Sequence, residues 1–347
     1  MRRKRVTHNI DKKAVCYAKQ LTSSGIRKQA LTDLHMLASL FTTPGQNIEI
    51  GIRRGRTINW QPLTDIEIDN YHNYVQHLMK RYDSLRAIHP KKFHREWVHF
   101  EQFVPKSEVV CKLRINGQKG DSLADRIVKC MRYDKVRERV FPKYIRELEI
   151  CTCVYCNATY AVTDIRGNAF YDLDHWKPKS YYPFLCTSFY NLQPSCPSCN
   201  RRKSYKDDKV FFNLWDDVGC KNLDILEFKL TPLSLATYLT SLDRNDLEIK
   251  FIQNNSRYRK MAEDMDDSLH ITTKYAEHRD ILEEIVWKHQ IYNQSYITSL
   301  RKSLGSIVPS DADVNRFILG TYTDADDIFK RPLAQMIQNV AHDLGLL

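Results

Sequence analysis

No apolar run in this chain approaches the ~20 residues needed to cross a bilayer, and its 347 residues contain no internal repeat and no low-complexity tract. Those absences set aside a membrane-spanning helix, a repeat array and a disordered polar chain. The opening Met1-Arg-Arg-Lys-Arg5 is too polar for a secretory signal peptide. Acidic residues are scarce at one end only: residues 1–60 hold twelve Lys/Arg against three Asp/Glu, and residues 221–347 hold fifteen against nineteen.

The whole chain carries 53 Lys+Arg and 42 Asp+Glu, a formal charge of +11 and a pI near 9.1. Such an excess suits a polyanionic partner, nucleic acid first. Arg2, Arg3, Lys4 and Arg5, with Lys12, Lys13, Arg53, Arg54 and Arg56, are expected to form an arm that grips the phosphate backbone and weakens with salt. The other reading of Arg2 to Arg5 is a solvated, disordered tail. The acidic last third argues against a second nucleic-acid surface.

Ten cysteines in a chain without a recognisable signal argue for a reducing compartment, with the cytoplasm as the expected location. Four of them form two Cys-x-x-Cys pairs, Cys153/Cys156 and Cys196/Cys199. A pair with two intervening residues lets both thiolates on one turn reach a single tetrahedral ion, and two such pairs complete its shell. Zinc held this way is structural, because no position remains for water or substrate. The chemistry must lie elsewhere. Cys151 fits the turn less well and is expected to be packed, not bound.

Between the pairs, Ala158–Thr163 and Ala169–Trp176 are β-prone runs flanking Asp164-Ile-Arg-Gly-Asn168, which predicts a hairpin. Asp174 and His175 close its second strand, where neighbouring side chains point to opposite faces. One can then meet a metal while the other addresses a substrate. The segment from Ser195 to Lys206 carries the second Cys pair and starts a helix on which Asn200 and Lys203 share a face.

Cys-x-x-Cys, Asp-His, Asn-Leu and Cys-x-x-Cys-Asn-x-x-Lys, over residues 150–206, resemble the HNH, or ββα-metal, endonucleases in their cysteine-bearing, McrA-like branch. The words Tyr182-Pro-Phe-Leu185 and Ser188-Phe-Tyr-Asn-Leu-Gln-Pro-Ser195 look more narrowly like the nuclease subunit of Septu-type anti-phage systems, which implies an ATPase partner. The resemblance makes His175 the general base that takes a proton from the attacking water. It makes Asp174 and Asn200 oxygen ligands of one divalent ion, Mg²⁺ or a similar cation, at the scissile phosphate. Asn191 becomes a tether that turns His175 toward the phosphate, and Lys203 a phosphate contact. Asn200 stands where the family often has His, which suits a hard ion over Zn²⁺ or Ni²⁺.

The expected fold is α+β and mainly helical, with a zinc-stabilised ββα-metal module at its centre. Residues 1–60 are read as a basic arm with a helix over Lys28–Leu40, 61–148 as a helical region, 149–215 as the nuclease module and 216–347 as a mainly helical C-terminal region. Helical periodicity covers Asp65–Tyr82, and a helical pair spans Ser122–Leu148 with a break near Phe141-Pro142. Leu247–Ile252 suggests a short strand, Thr272–Leu304 one long helix, and Pro332 the N1 position of a last helix over 332–344. The C-terminal region reads equally as a partner-docking surface or as a helical cap on the nuclease module.

The function that follows is metal-dependent hydrolysis of phosphodiester bonds, DNA favoured and RNA possible, in bacterial defence. The competing reading is a zinc-stabilised nucleic-acid-binding protein without catalysis. It gains if residues 174, 175 and 200 do not converge on one cavity.

Overall fold

The computed structural model describes residues 1–346 apart from 205–210, 217–222, 254–255, 305–306 and 308–309. Part of the predicted helix-opening segment, Tyr205 and Lys206, lies outside the described residues. The protein is α+β and mainly helical. Buried apolar side chains form one connected cluster running from Met1 to Ala341. Among the described residues, no helix is long and apolar enough to cross a membrane.

The helix His8–Ser23 is missing from the sequence reading. It is capped by the Thr7 hydroxyl and buries Ile10, Ala14, Tyr17 and Leu21, which recur at spacings of four and three on one stripe. Gly25, at φ +75°, turns the chain into the next helix, Ile26–Leu40. The third, Asp65–Arg86, starts with a capping box in which Thr64 and Glu67 satisfy each other's backbone donors. It buries Tyr71, Tyr74, Val75, Leu78 and Tyr82.

A four-stranded antiparallel sheet, in the order Thr57–Pro62, Ile48–Arg54, Lys112–Ile115, Gln118–Ser122, fills a region expected to be helix and arm. Arg53, Arg54 and Arg56 sit on its exposed hairpin turn at Gly55, φ +62°. The helical stretch before the first Cys pair breaks earlier than predicted. Arg132 adopts φ +55°, and a π-helical turn over Val136–Val140 precedes Phe141–Glu147. Pro142 then falls in a first helical turn, where its missing N–H is harmless.

Arg2 to Arg5 do not form a free arm. Lys4–Arg5 pairs in parallel with Trp215–Asp216, the buried Met1 amine donates to the Leu226 carbonyl, and Arg3 N–H donates to Leu223 O at 2.9 Å. Arg2 ion-pairs with Asp224 at 2.7 Å and Asp326 at 3.1 Å. The scarcity of acids within residues 1–60 hid partners that lie two hundred residues away.

The predicted helix over Thr272–Leu304 is three helices, Ile271–Ala276, Arg279–Ile291 and Gln294–Leu304. Asn293 causes the second break, since its side chain accepts the Tyr296 N–H at 2.9 Å and caps a new helix. Leu282, Ile285 and Val286 are buried as the stripe predicted, whereas His289 and Tyr296 are exposed. Ile249–Ile252 is a strand paired with Glu227–Leu230. The last helix is Ala334–Asp343, entered through Leu333 at φ +61° and not through Pro332.

Candidate active site and metal centre

The first Cys pair lies in a tight loop closed by the Thr152–Tyr160 bridge and by Cys153 N–H to Thr159 O at 2.9 Å. Asn157, at φ +51°, completes the reversal, a conformation Asn tolerates well. In the second pair Cys196 is the N-cap of the helix Pro197–Lys203, and its sulfur accepts the Cys199 N–H at 3.4 Å. All four cysteines are buried, none is in a disulfide, and their sulfurs lie within 4.8 Å of one another. Bonds of ~2.3 Å to a shared tetrahedral ion bring sulfurs to about 3.8 Å, so a small adjustment closes the shell. The cluster is a candidate structural zinc site. Cys151 stands outside it.

The C-terminal region braces this cluster. Tyr275 Oη donates to the Cys156 carbonyl at 2.6 Å, and Lys274 Nζ lies 3.5 Å from Cys199 Sγ. Burial works against the Lys274 charge, yet the neighbouring sulfurs of Cys199, Cys156 and Cys196 outweigh it and strengthen its hold on the proton. Asn157 donates to Ile328 O at 2.8 Å and accepts from Gln335 N–H at 3.1 Å.

Asp174 and His175 are on the strand Asp172–His175, but its ladder partner is Leu192–Ser195, with Asp174 opposite Gln193. The predicted hairpin survives only as a single bridge, Thr163 to Ala169, around the 164–168 turn. The helix carrying Asn200 and Lys203 follows the second strand directly and packs on the first.

A cavity of about 870 Å³ opens beside this strand, lined by Asp172, Asp174, His175 and Asn200 with Tyr133 and Lys179. The His175 Nε2 is 2.9 Å from the Cys186 carbonyl oxygen. A carbonyl only accepts, so Nε2 carries the proton and Nδ1 keeps its lone pair. Burial, reinforced by Lys179, lowers the His175 pKa to about 3, which leaves the ring neutral at physiological pH. The Tyr133 ring lies 4.7 Å from the imidazole and holds its plane.

Asp174 is buried, and burial raises its pKa against the opposing pull of Lys203 and Tyr155. Its Oδ2 accepts from Tyr155 Oη and meets Lys203 Nζ at 3.1 Å. Gln193 Nε2 donates in turn to Tyr155 Oη at 2.6 Å. Asn200 Nδ2 donates to Asp172 Oδ2 at 2.9 Å.

Lys203 departs from its expected place. It is fully buried, and its ammonium binds Asp174 and the His175 carbonyl, the latter at 2.7 Å. It therefore holds the strand and does not face the surface as a phosphate contact would. Asn191 is also fully buried. Its Oδ1 accepts the Lys177 N–H at 2.8 Å, and its Nδ2 donates to the carbonyls of Lys177 and Leu185, both at 3.1 Å. It thus ties down the loop that leads from His175 to Cys186.

Several cavity residues escaped the sequence reading, Asp172, Lys179 and Arg137 among them. Asp172 shares the Asp174 face, two positions back along the strand, a spacing visible in the sequence. Lys179 sits 4.4 Å from the Tyr133 ring and makes no ion pair among the described residues. Arg137 comes from the π-helical turn. Nothing local marks these two cations, because only the tertiary fold brings them to the cavity.

Asp172, Asp174 and Asn200 are the oxygen-bearing side chains that strand and helix bring to the cavity. Lys203 Nζ lies 3.4 Å from Asp174 Oδ1, so that oxygen already faces an ammonium. No protein-family model, no curated protein and no solved structure matches this chain.

Proposed function

We propose that the protein is a metal-dependent nuclease of the HNH, or ββα-metal, type that hydrolyses phosphodiester bonds of nucleic acid. One observation carries the reading: His175, Asp174 and Asn200 line the same cavity, with the His175 Nδ1 lone pair unoccupied by the carbonyl that fixes the ring. The strand–strand–helix order around the cysteine cluster and the family resemblance support it. The non-catalytic reading would have gained had those three residues diverged.

Water in the cavity attacks phosphorus while His175 Nδ1 accepts its proton and the bond to the leaving oxygen breaks; the negative charge of a phosphate beside the ring would offset the burial that holds its pKa low. A divalent ion on Asp172, Asp174 and Asn200 would supply charge stabilisation at the phosphate and the leaving oxygen. Lys179 and Arg137 draw the anion in, and Tyr133 with Cys186 O keeps the imidazole aimed. The Lys203 ammonium holds Asp174 in place and offsets its charge. DNA is the favoured substrate and RNA the second. A role in bacterial anti-phage defence beside an ATPase subunit rests on the resemblance alone.

The test incubates the protein with duplex DNA, single-stranded DNA and tRNA, with Mg²⁺ and with EDTA. Mg²⁺-dependent cleavage of any of them, lost in H175A, supports the reading. Tight binding without cleavage under every condition would transfer the protein to the zinc-stabilised binder class.

A further inference from the structure

We infer that the protein carries a second transition-metal site, formed by His77, Glu96 and His99, away from both the cysteine cluster and the cavity. Glu96 and His99 are three residues apart on the helix Phe93–Glu101 and so share a face. His77 projects from the helix Asp65–Arg86. One ligand atom from each of the three lies within 4.8 Å of the others.

Two imidazoles and one carboxylate are a donor set that suits zinc and related divalent ions, with a fourth position left for water. Bonds of ~2.0–2.2 Å to one ion place such donors about 3.4 Å apart. His99 is exposed and free to rotate inward, so the gap closes without moving a helix. Its neighbour Glu96 is buried, at 1% exposure, and is already aimed by Arg81, whose Nη2 and Nε meet the two carboxylate oxygens at 2.5 and 3.3 Å. An ionised carboxylate has about four lone-pair sites, so Arg81 leaves room for a metal bond. Arg81 then acts as the outer partner that orients the ligand.

His77 supplies the independent observation. Its Nε2 is buried and has no hydrogen-bond partner, an arrangement that an ordinary core histidine avoids. Its ring is clamped against Phe100 at 5.0 Å and Phe103 at 5.5 Å. The ion would staple the two helices together. Phe100, on the second of them, stacks on Phe184 at 4.0 Å, two residues before the carbonyl that holds His175.

The site does not depend on the nuclease reading, and its test needs no activity. Purified full-length protein is equilibrated with zinc, then freed of unbound ion, and its metal content is measured beside H99A and H77A. H99A alters an exposed side chain and keeps the fold. The parent should bind one equivalent more than either variant. Equal metal content in parent and folded H99A would overturn the site.

Discussion

The His175 Nε2 and the Cys186 carbonyl oxygen lie 2.9 Å apart, and this contact decides which ring nitrogen keeps its lone pair. Because the carbonyl fixes the proton on Nε2, Nδ1 is the basic atom. The imidazole pKa of about 3 then has a consequence for stability. The unfolded chain takes up a proton below pH 6.5, whereas folded His175 does not until the pH nears its own lowered value. Its contribution is therefore complete above pH 6.5 and is lost as the pH falls toward 3. Between pH 7 and 5 the parent should lose about 2 kcal/mol more unfolding free energy than H175Q. Parallel pH profiles in denaturant titrations would contradict the buried neutral ring.

Asn191 makes three hydrogen bonds from a fully buried position. N191A leaves the Lys177 N–H and carbonyl unpaired, at about 1–3 kcal/mol for each group that water cannot reach, while the Leu185 carbonyl keeps the Ser188 N–H. It should lower the thermal midpoint and cut cleavage by about 100-fold, the scale expected when a catalytic group is misplaced by ~1 Å. Parental turnover in folded N191A would remove its role as a tether.

Cysteine replacement should act on the scaffold and not on the chemistry. C199S is expected to lose bound zinc and to lose the cooperative fold around residues 150–203, because metal affinity in such sites is folding energy. A folded parent containing no zinc by elemental analysis would refute this.

The N-terminal residues should stabilise the fold. Deleting residues 1–5 removes the buried Met1, worth about 1.5–3 kcal/mol in side-chain burial alone, together with the Arg2 pairs to Asp224 and Asp326. The midpoint should fall. Unchanged stability with a flatter salt dependence of nucleic-acid binding would restore the arm instead.

Local spacing was legible in the sequence, and distant pairing was not. Two Cys-x-x-Cys units each fix a turn by short-range geometry, so their four sulfurs could be named in advance. The shared helix face of Asn200 and Lys203 is also local, and both side chains do meet the strand Asp172–His175, at Asp172 and Asp174. What each would do there depended on burial, and Lys203 became an internal cation. Composition marked Arg2 as charged but could not reveal Asp224 and Asp326. The strand partner of Asp174 lies across a loop of sixteen residues, beyond any alternation pattern, and Lys179 and Arg137 reach the cavity only through the assembled fold. The sheet at 48–122 was hidden because its hairpin turn is an arginine run.

The most direct measurement is single-turnover cleavage of labelled duplex DNA, single-stranded DNA and tRNA by parent and H175A, in Mg²⁺ and in EDTA, alongside binding of the same substrates. The account predicts Mg²⁺-dependent cleavage of at least one substrate by the parent, none by H175A, and near-equal binding by both. Undiminished cleavage by H175A, or binding without cleavage by the parent on every substrate, would contradict it.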